Sequence, residues 1–280
     1  MTLLEVADLT VTAPGRTLVD RMSFTIDPGQ RLGVIGESGS GKSVTALAVT
    51  GLLPGSLQTS GSVLLSGTQV IGAADRALRP LRGPAAAVLF QEPLTALDPL
   101  MRVGRQIAEP IARHLGLRGA ALQDAVTRAL HDVALPDPRI GRAFPHQLSG
   151  GQRQRVATAI ALAAEPRLLI ADEPTTALDV TVQDEILTLL DRLVREREMA
   201  LLFISHDLAV VTRMTDRVLV MSRGQLVDRG PAERILSAPE HPYTAALVAS
   251  ARALDAALDG PPSRATPAPA SRDSSEGASR

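Results

Sequence analysis

The chain has no cysteine, which excludes disulfides, thiolate metal sites and iron–sulfur clusters. Its net charge is −1 over 280 residues, so the charge balance gives no electrostatic reason to expect a nucleic-acid partner. Long hydrophobic runs are missing as well: stretches such as 159–164 fall far short of the roughly 20 apolar residues that a membrane helix needs. Residues 1–5 lack the basic start and apolar stretch of a signal peptide. We therefore expect a globular chain with a substantial core; if it acts at a membrane, other chains must cross the bilayer.

Lysine is almost absent: Lys42 is the only lysine, beside 28 arginines. It lies in a stretch with the spacing G-x-x-x-x-G-K-S/T, formed by Gly36, Glu37, Ser38, Gly39, Ser40, Gly41, Lys42 and Ser43. In this pattern the glycines let backbone N–H groups surround phosphates, and the helix that follows offers its positive N-terminal end. An ammonium reaches the β- and γ-phosphates as a compact charge, where a planar guanidinium fits poorly, and the serine hydroxyl binds Mg²⁺. The stretch therefore predicts a site for a nucleotide and Mg²⁺.

Segments with strand and helix patterns alternate along most of the chain. Strands are predicted at 4–12, 22–26, 31–35, 62–65, 86–90, 167–171 and 200–204, and helices at 42–52, 152–163 and 181–195. A helical pattern covers 103–147, and a hairpin is predicted from 217–221 and 225–227. This alternation predicts an α/β fold with a parallel sheet covered on both faces. The Pro- and Ser-rich end, 260–280, predicts a disordered tail.

The apolar strand at 167–171 is followed by two carboxylates, Asp172 and Glu173. A buried strand that carries an acid to its C-terminal edge, beside a phosphate loop, is the Walker-B arrangement. Asp172 is predicted to hold Mg²⁺, directly or through water, and Glu173 to orient and deprotonate the attacking water. Phosphoryl transfer needs positioning and charge neutralisation more than covalent chemistry, so a carboxylate and a metal suffice.

A third motif, 148–152, precedes a predicted helix: Ser149 is a candidate N-cap, and Gly150 and Gly151 expose successive N–H groups before Gln152. The phosphate loop, this motif and the Asp-Glu strand stand in the order and spacing of ATP-binding-cassette ATPases. The chain resembles that family over roughly residues 3–250, and 148–152 corresponds to its signature sequence. The resemblance implies a P-loop, RecA-like core with a parallel or mixed sheet and an N-terminal antiparallel β subdomain. It also implies an α-helical subdomain inserted at about 103–147, with 251–259 as the end of a C-terminal helix.

The same resemblance implies ATP sites shared between two chains. Two subunits of the family pack head to tail, so ATP lies between the glycine loop of one and the signature residues of the other, here Ser149, Gly150, Gly151 and Gln152. The partner is a copy of the chain or, more in keeping with the resemblance, a similar second ATPase. Further site residues follow from the family pattern: Gln91 contacts Mg²⁺ or water and reports to a membrane subunit, Asp179 couples the two sites, and His206 contacts the γ-phosphate.

Stretches at 91–99, 172–183 and 241–247 resemble the ATPases of peptide and nickel importers. The resemblance implies two transmembrane permease subunits, touched by 103–147 and by the Gln91 loop, and an extracytoplasmic solute-binding protein. It places the chain peripherally at the cytoplasmic face of the cell membrane. The 241–247 stretch also predicts a helix that starts at Pro242. Many members carry a cysteine-containing segment after it, which is missing here, so a nickel or metallophore importer stays open beside a peptide importer.

Cassette ATPases often stack adenine on an aromatic ring near the end of the first strand, but residues 13–16 contain none. Arg16 can stack through its guanidinium plane, so we expect weak discrimination between bases.

A cassette ATPase that acts on DNA or ribosomes is a second possibility, disfavoured because the sequence has no long coiled-coil insertion, tandem cassette or basic arm. An exporter ATPase is disfavoured by the importer-like stretches, and a non-hydrolysing regulator by Glu173.

Overall fold

The computed structural model describes residues 1–90, 97–176 and 178–258. The strands are β1 (Leu4–Ala13), β2 (Arg16–Ile26), β3 (Arg31–Gly36), β4 (Gln58–Leu65), β5 (Thr68–Gln69), β6 (Ala86–Leu89), β7 (Leu168–Asp172), β8 (Ala200–Ser205), β9 (Arg217–Ser222) and β10 (Gln225–Pro231). The helices are α1 (Lys42–Val49), α2 (Asp75–Leu78), α3 (Val103–His114), α4 (Gly119–Asp132), α5 (Gly150–Leu162), α6 (Val180–Glu196), α7 (Leu208–Met214), α8 (Ala232–Ser237) and α9 (Pro242–Leu258). Short 3₁₀ turns lie at Ile140–Arg142 and Pro145–Gln147.

A six-stranded sheet in the order β10-β9-β3-β8-β7-β6 forms the centre of the fold. The strands from β9 to β6 are parallel, and β10 pairs antiparallel with β9. Side chains alternate along each strand: in β7, Leu168 and Ile170 join one hydrophobic cluster, whereas Leu169 and Ala171 join the other. Burial on both faces explains why these strands are continuous apolar runs in the sequence. The predicted α/β fold is confirmed.

A second, four-stranded antiparallel sheet in the order β2-β1-β4-β5 lies near the N-terminus. Its apolar residues share one hydrophobic cluster with α1 and one face of the larger sheet. The second strand was predicted at 22–26, but it starts at Arg16. The reason is a register shift against β1 around Arg21, whose φ is 45°: two residues instead of one lie between the buried Val19 and Met22. Such a bulge interrupts the alternation of apolar and polar residues by which a strand is predicted from sequence.

The region 103–147 is helical, as predicted, in α3, α4 and the two 3₁₀ turns. Ile107, Leu130 and Ile140 from these elements join the cluster on the opposite face of the larger sheet. Charged contacts reinforce this packing, since Arg197 donates a hydrogen bond to Asp132 at the end of α4. The limits of an ATP-binding domain at 3–250 and of an inserted subdomain at about 103–147 stay predictions. No helix in the described part of the chain combines the length and apolar character needed to cross a membrane.

Local capping interactions explain where helix α1 ends and where helix α7 begins. Helix α1 was expected to reach residue 52 but ends at Val49, because Gly51 has a φ of 64° and Leu52 N–H bonds to the Leu47 carbonyl, as in a Schellman motif. Helix α7 was not predicted, although Asp207 caps it by accepting hydrogen bonds from Ala209 and Val210 N–H.

The expected disordered tail at 260–280 and the predicted Gln91 loop lie outside the described residues.

Candidate functional site

The glycine-rich loop connects β3 with α1 at the carboxyl edge of the parallel sheet. Gly36 approaches β9 so closely that an added Cβ would lie 2.2 Å from the Met221 carbonyl oxygen. Gly41, the N-cap of α1, has a φ of 101°, and a Cβ there would lie 2.5 Å from the Leu18 carbonyl oxygen. Only glycine meets both conditions. The sequence therefore folds into a tight loop before a helix N-terminus, a geometry suited to anions.

The Lys42 ammonium is folded back into this loop. Its Nζ donates hydrogen bonds to the carbonyl oxygens of Gly36 at 2.8 Å and Glu37 at 2.9 Å, and only 4% of the residue is exposed. Burial lowers the pKa of Lys42, while the negative charges of Glu173, Asp172 and Glu37 act in the opposite direction. A buried cation whose direct partners are neutral carbonyls is incompletely compensated, and a phosphate group would supply the missing charge.

Ser43 and Asp172 meet beside the loop. Ser43 Oγ donates a hydrogen bond to Asp172 Oδ1 at 3.0 Å, which joins the first turn of α1 to the end of β7. Burial raises the pKa of Asp172, the neighbouring Glu173 charge adds to the rise, and the Ser43 hydrogen bond and Lys42 oppose it. A hydroxyl and a buried carboxylate are the hard oxygen donors that Mg²⁺ prefers. A cation here would relieve the cost of burying the Asp172 charge, so the residues present fit a divalent metal.

Glu173 follows with a backbone φ of 48°, in the left-handed region that costs a non-glycine residue ~1–3 kcal/mol. Its Oε2 accepts a hydrogen bond from Thr176 Oγ1 at 3.0 Å and lies 3.4 Å from His206 Nδ1, just after the end of β8. Backbone strain of this kind persists where the surroundings hold it, and it clusters at active sites. The carboxylate is thus held by Thr176 and lies close to His206, beside the phosphate loop.

A cavity of about 350 Å³ opens next to these groups. It is lined by Arg16, Leu18, Ser38, Gly39, Gly41, Lys42, Ser43, Val44 and Glu173. The phosphate loop, α1, the residue after β7 and the start of β2 therefore share one space. Arg16, predicted to stack on the base in place of an aromatic ring, is part of this lining.

The residues of the 148–152 motif lie at a different place. Ser149 caps α5 as predicted: its Oγ accepts from Gln152 N–H at 3.2 Å, and Gln152 Oε1 accepts from Ser149 N–H at 3.0 Å. Gly151 faces α6, since a Cβ there would lie 2.9 Å from Val182. Asp179 caps α6 by accepting from Val182 N–H at 3.0 Å. None of these residues lines the cavity, so in a single chain the motif is separate from the phosphate loop.

The structure thus brings together Lys42, Ser43, Asp172, Glu173 and His206, while Gln91 lies outside the described residues. Two contacts near this site were not predicted from the sequence. Thr176 was visible only as part of the Asp-Glu stretch, and no pattern marked it as a hydrogen-bond donor to Glu173. The other was Tyr243, the only tyrosine of the chain, whose hydroxyl oxygen accepts from Glu37 N–H at 2.9 Å.

The family described as ABC transporter matches residues 19–176. The chain is 46% identical over 256 residues to the peptidoglycan transport ATP-binding protein YejF of Agrobacterium fabrum, covering 89% of this chain and 47% of that protein. It is 45% identical over 258 residues to the oligopeptide transport ATP-binding protein OppD of Salmonella typhimurium, covering 90% and 77%. The glutathione import ATP-binding protein GsiA of Pectobacterium atrosepticum is 46% identical over 248 residues, covering 84% and 39%. The chain thus spans less than half of two of these relatives.

Solved structures show the same fold. An ATP-binding cassette determined as a dimer in a post-hydrolysis state, bound to ADP and Pi, superposes with a TM-score of 0.72 at 26% identity, covering 82% of this chain and 98% of that one. The cbiO1 protein of Clostridium perfringens, part of the transporter complex cbiONQ, superposes with a TM-score of 0.75 at 24% identity, covering 92% and 95%. The predicted cassette fold, with its mixed sheet and helices, is therefore confirmed.

Replacing Asp172 with Asn keeps an acceptor for Ser43 but removes a buried negative charge. Because the folded-state pKa of Asp172 is raised, its contribution to stability is present below its ordinary value of 3.8 and is lost as the pH rises through the folded-state pKa. We therefore expect nucleotide-free Asp172→Asn protein to melt at a higher temperature than the wild type at pH 7. The difference should disappear below pH 3.8. Thermal unfolding followed by circular dichroism across this pH range measures it.

Asp137→Asn is the matched control, because hydrogen bonds from Arg139 lower the pKa of exposed Asp137 and its neutralisation brings no gain at pH 7. An Asp172→Asn variant that is less stable than the wild type at pH 7 would contradict this account of the site.

Proposed function

The chain belongs to the ABC transporter family, and on that premise we propose that it is the ATP-hydrolysing subunit of an importer for peptides. The observation that carries the proposal is that Lys42, Ser43 and Glu173 line one cavity, with Asp172 bound to Ser43 beside it. These four side chains supply a cation, two metal-binding oxygens and a base within a single site. They are the parts that phosphoryl transfer requires from a protein.

The phosphate loop is proposed to bind the triphosphate of ATP. The N–H groups at the start of α1 surround phosphate oxygens. The Lys42 ammonium has three N–H donors, of which two bind the Gly36 and Glu37 carbonyls, and the third is offered to the β- and γ-phosphates. Ser43 and Asp172 would hold Mg²⁺, with Gln91 as a further contact to the metal or to water. When bound, the metal neutralises charge that develops on the phosphate oxygens. Arg16 lies in the cavity lining and is proposed to stack on the base, so discrimination between ATP and GTP is expected to be weak.

Glu173 is proposed as the general base for the attacking water. Its Oε2 accepts the hydrogen bond from Thr176 and lies near His206 Nδ1, which places the carboxylate beside the phosphate loop. His206, with an exposed fraction of 59% for its side chain, is free to contact the γ-phosphate of a bound nucleotide. Gln91 would help to orient the water. In this proposal the protein accelerates hydrolysis by positioning the water and the phosphates, and it forms no covalent bond to them.

A second subunit is proposed to complete each site. The cavity contains the phosphate loop but none of Ser149, Gly150, Gly151 and Gln152. These residues open helix α5, whose N-terminal end suits an anion, and they would contact the γ-phosphate held by a partner, with Asp179 linking the two sites. The related cassette bound to ADP and Pi is a dimer, which supports this arrangement. The partner is a similar second ATPase or a copy of this chain.

Peptides are the proposed cargo. The relatives described above are named for oligopeptide, glutathione and peptidoglycan transport, all of which contain amide-linked amino acids. None of the three names a metal, so the nickel or metallophore alternative from the sequence has less support. Two transmembrane permease subunits, contacted by 103–147 and the Gln91 loop, and an extracytoplasmic solute-binding protein are the proposed partners, with no nucleic acid. The chain itself would lie peripherally at the cytoplasmic face of the membrane.

Glu173→Gln tests the chemical step. The amide keeps the shape and the hydrogen bond from Thr176 but cannot accept the proton from water. We expect ATP hydrolysis to fall by about 10²- to 10⁴-fold, the contribution of a positioned general base, while ATP binding is preserved. Phosphate release at saturating ATP, compared with equilibrium binding of the same nucleotide, separates the two effects.

The control is Glu196→Gln, which neutralises an exposed glutamate of α6 that pairs with Arg192 and lies outside the cavity. It should hydrolyse ATP at the wild-type rate. Near-normal turnover in Glu173→Gln would remove Glu173 from the reaction.

Affinity purification of the tagged chain from its own membranes tests the transport assignment. We expect two membrane-spanning chains and a second ATPase to co-purify. We also expect the rate of ATP hydrolysis by this assembly to rise when a peptide-loaded binding protein is added. A rise with a nickel-loaded binding protein instead would shift the cargo to the metal alternative. Retention of nucleic acid or ribosomes that is lost steeply with added salt would contradict the transport assignment.

A further inference from the structure

The phosphate loop is contacted from the far end of the chain by the only tyrosine. The Tyr243 hydroxyl oxygen accepts a hydrogen bond from the Glu37 backbone N–H at 2.9 Å, across 206 residues of sequence. Tyr243 lies in the first turn of α9, within the 241–247 stretch. That stretch carries no group of the proposed ATP chemistry, and it nevertheless reaches the loop that contains Lys42.

Glu37 is the residue through which this contact can act on Lys42. Its N–H is bound by Tyr243, and its carbonyl oxygen accepts from Lys42 Nζ at 2.9 Å. The adjacent Gly36 carbonyl accepts from the same ammonium at 2.8 Å. Tyr243 and Lys42 therefore hold opposite ends of one residue. A change in the position of Glu37 would move one of the two acceptors that now hold the ammonium.

The start of α9 is fixed by its own local chemistry. His241 Nδ1 accepts from Tyr243 N–H at 3.2 Å, and the His241 carbonyl accepts from Ala245 N–H at 3.0 Å, so His241 acts as the helix cap. Pro242 comes next, at a first-turn position where its missing N–H costs no helix hydrogen bond. Each residue of the His-Pro-Tyr sequence thus has a part in placing the phenol ring.

A buried carboxylate ties this helix start to the sheet. Asp228 of β10 accepts from Glu240 N–H at 3.1 Å and His241 N–H at 3.4 Å, and its other oxygen binds Arg234 of α8. Burial acts to raise the pKa of Asp228, but the Arg234 hydrogen bond and the two N–H groups outweigh it and lower the pKa below its ordinary value. The anchor is therefore charged at neutral pH.

The inward face of α9 rests on the core below this anchor. Thr244 and Val248, four residues apart, are buried, and Tyr243, Leu247 and Ala251 pack against the larger hydrophobic cluster. Because this face of α9 is packed, the helix holds the Tyr243 ring in place and its hydroxyl next to Glu37.

We propose that Tyr243 is a positioning residue for ATP binding: it holds the Glu37 peptide so that the phosphate loop and Lys42 are ordered before the nucleotide arrives. Ordering a loop in advance lowers the cost of binding. The inference rests on the proposed binding of ATP at this loop. It assigns to the C-terminal helix, which lines no part of the cavity, an effect on nucleotide affinity.

Tyr243→Phe tests the proposal because it removes only the hydroxyl and keeps the ring packed. Losing one hydrogen bond should raise the Kd and KM for MgATP by about threefold to tenfold. The kcat at saturating ATP should stay close to the wild-type value, since the bond is present before and during the reaction. Exchange of the Glu37 amide hydrogen, followed by NMR without nucleotide, should become faster in the variant.

Thr244→Val is the matched control. It removes a buried hydroxyl from the next residue of the same helix, and that hydroxyl has no hydrogen-bond partner within the part of the chain that the structure describes. Its Kd for MgATP should equal that of the wild type. A purely structural role of the helix would instead lower the melting temperature of Tyr243→Phe and leave its Kd unchanged.

The outcomes separate this inference from the proposed function. If the wild type binds ATP and Tyr243→Phe binds it equally well or more tightly, the positioning role is wrong while the ATPase assignment stands. If the wild type binds no ATP, the proposed function itself fails. Hydrogen exchange of the Glu37 amide also tests the inference in the wild-type protein alone. An amide that exchanges without protection there would overturn the inference.

Discussion

A buried ammonium without an anionic partner in direct contact is the constraint on which the site depends. Lys42 is held by two backbone carbonyls, and the nearby carboxylates act on its pKa without a direct hydrogen bond. Desolvation works against this charge in the nucleotide-free protein. The fold therefore keeps an unfavourably buried charge at the carboxyl edge of the sheet, and a ligand rich in negative charge would relieve this cost.

The parallel sheet explains how the other groups reach this cation. Strands β3, β7 and β8 run in the same direction, so the residues that follow them emerge at one edge. The phosphate loop, Glu173 and His206 follow these three strands in turn, and Asp172 is the last residue of β7. Their side chains meet because the backbone topology brings strand ends together, although Ser43 and Asp172 are 129 positions apart in the sequence. The helix α9 adds support from outside the sheet through Tyr243 and Glu37.

The parts of this site that could be predicted from sequence are those encoded by short-range spacing. The glycine pattern before Lys42, the cap at Ser149 and the acid pair after an apolar strand each depend on a few adjacent residues, and the structure places them accordingly. The predicted start of β2 was wrong because a bulge at Arg21 interrupts the alternation of buried and exposed side chains along the strand. The Tyr243 contact could not be predicted, since nothing local to position 243 indicates that residue 37 lies beside it. Long-range pairing depends on how the whole chain packs.

The rate of ATP hydrolysis by Lys42→Ala, measured in the purified assembly with its partners, tests the central claim most directly. Alanine keeps every glycine of the loop and removes the ammonium that holds two of its carbonyls and is proposed to bind the β- and γ-phosphates. The account predicts that the assembly loses nearly all turnover. Hydrolysis at the wild-type rate would contradict it, because the triphosphate would then be held and cleaved without the group around which the site is built.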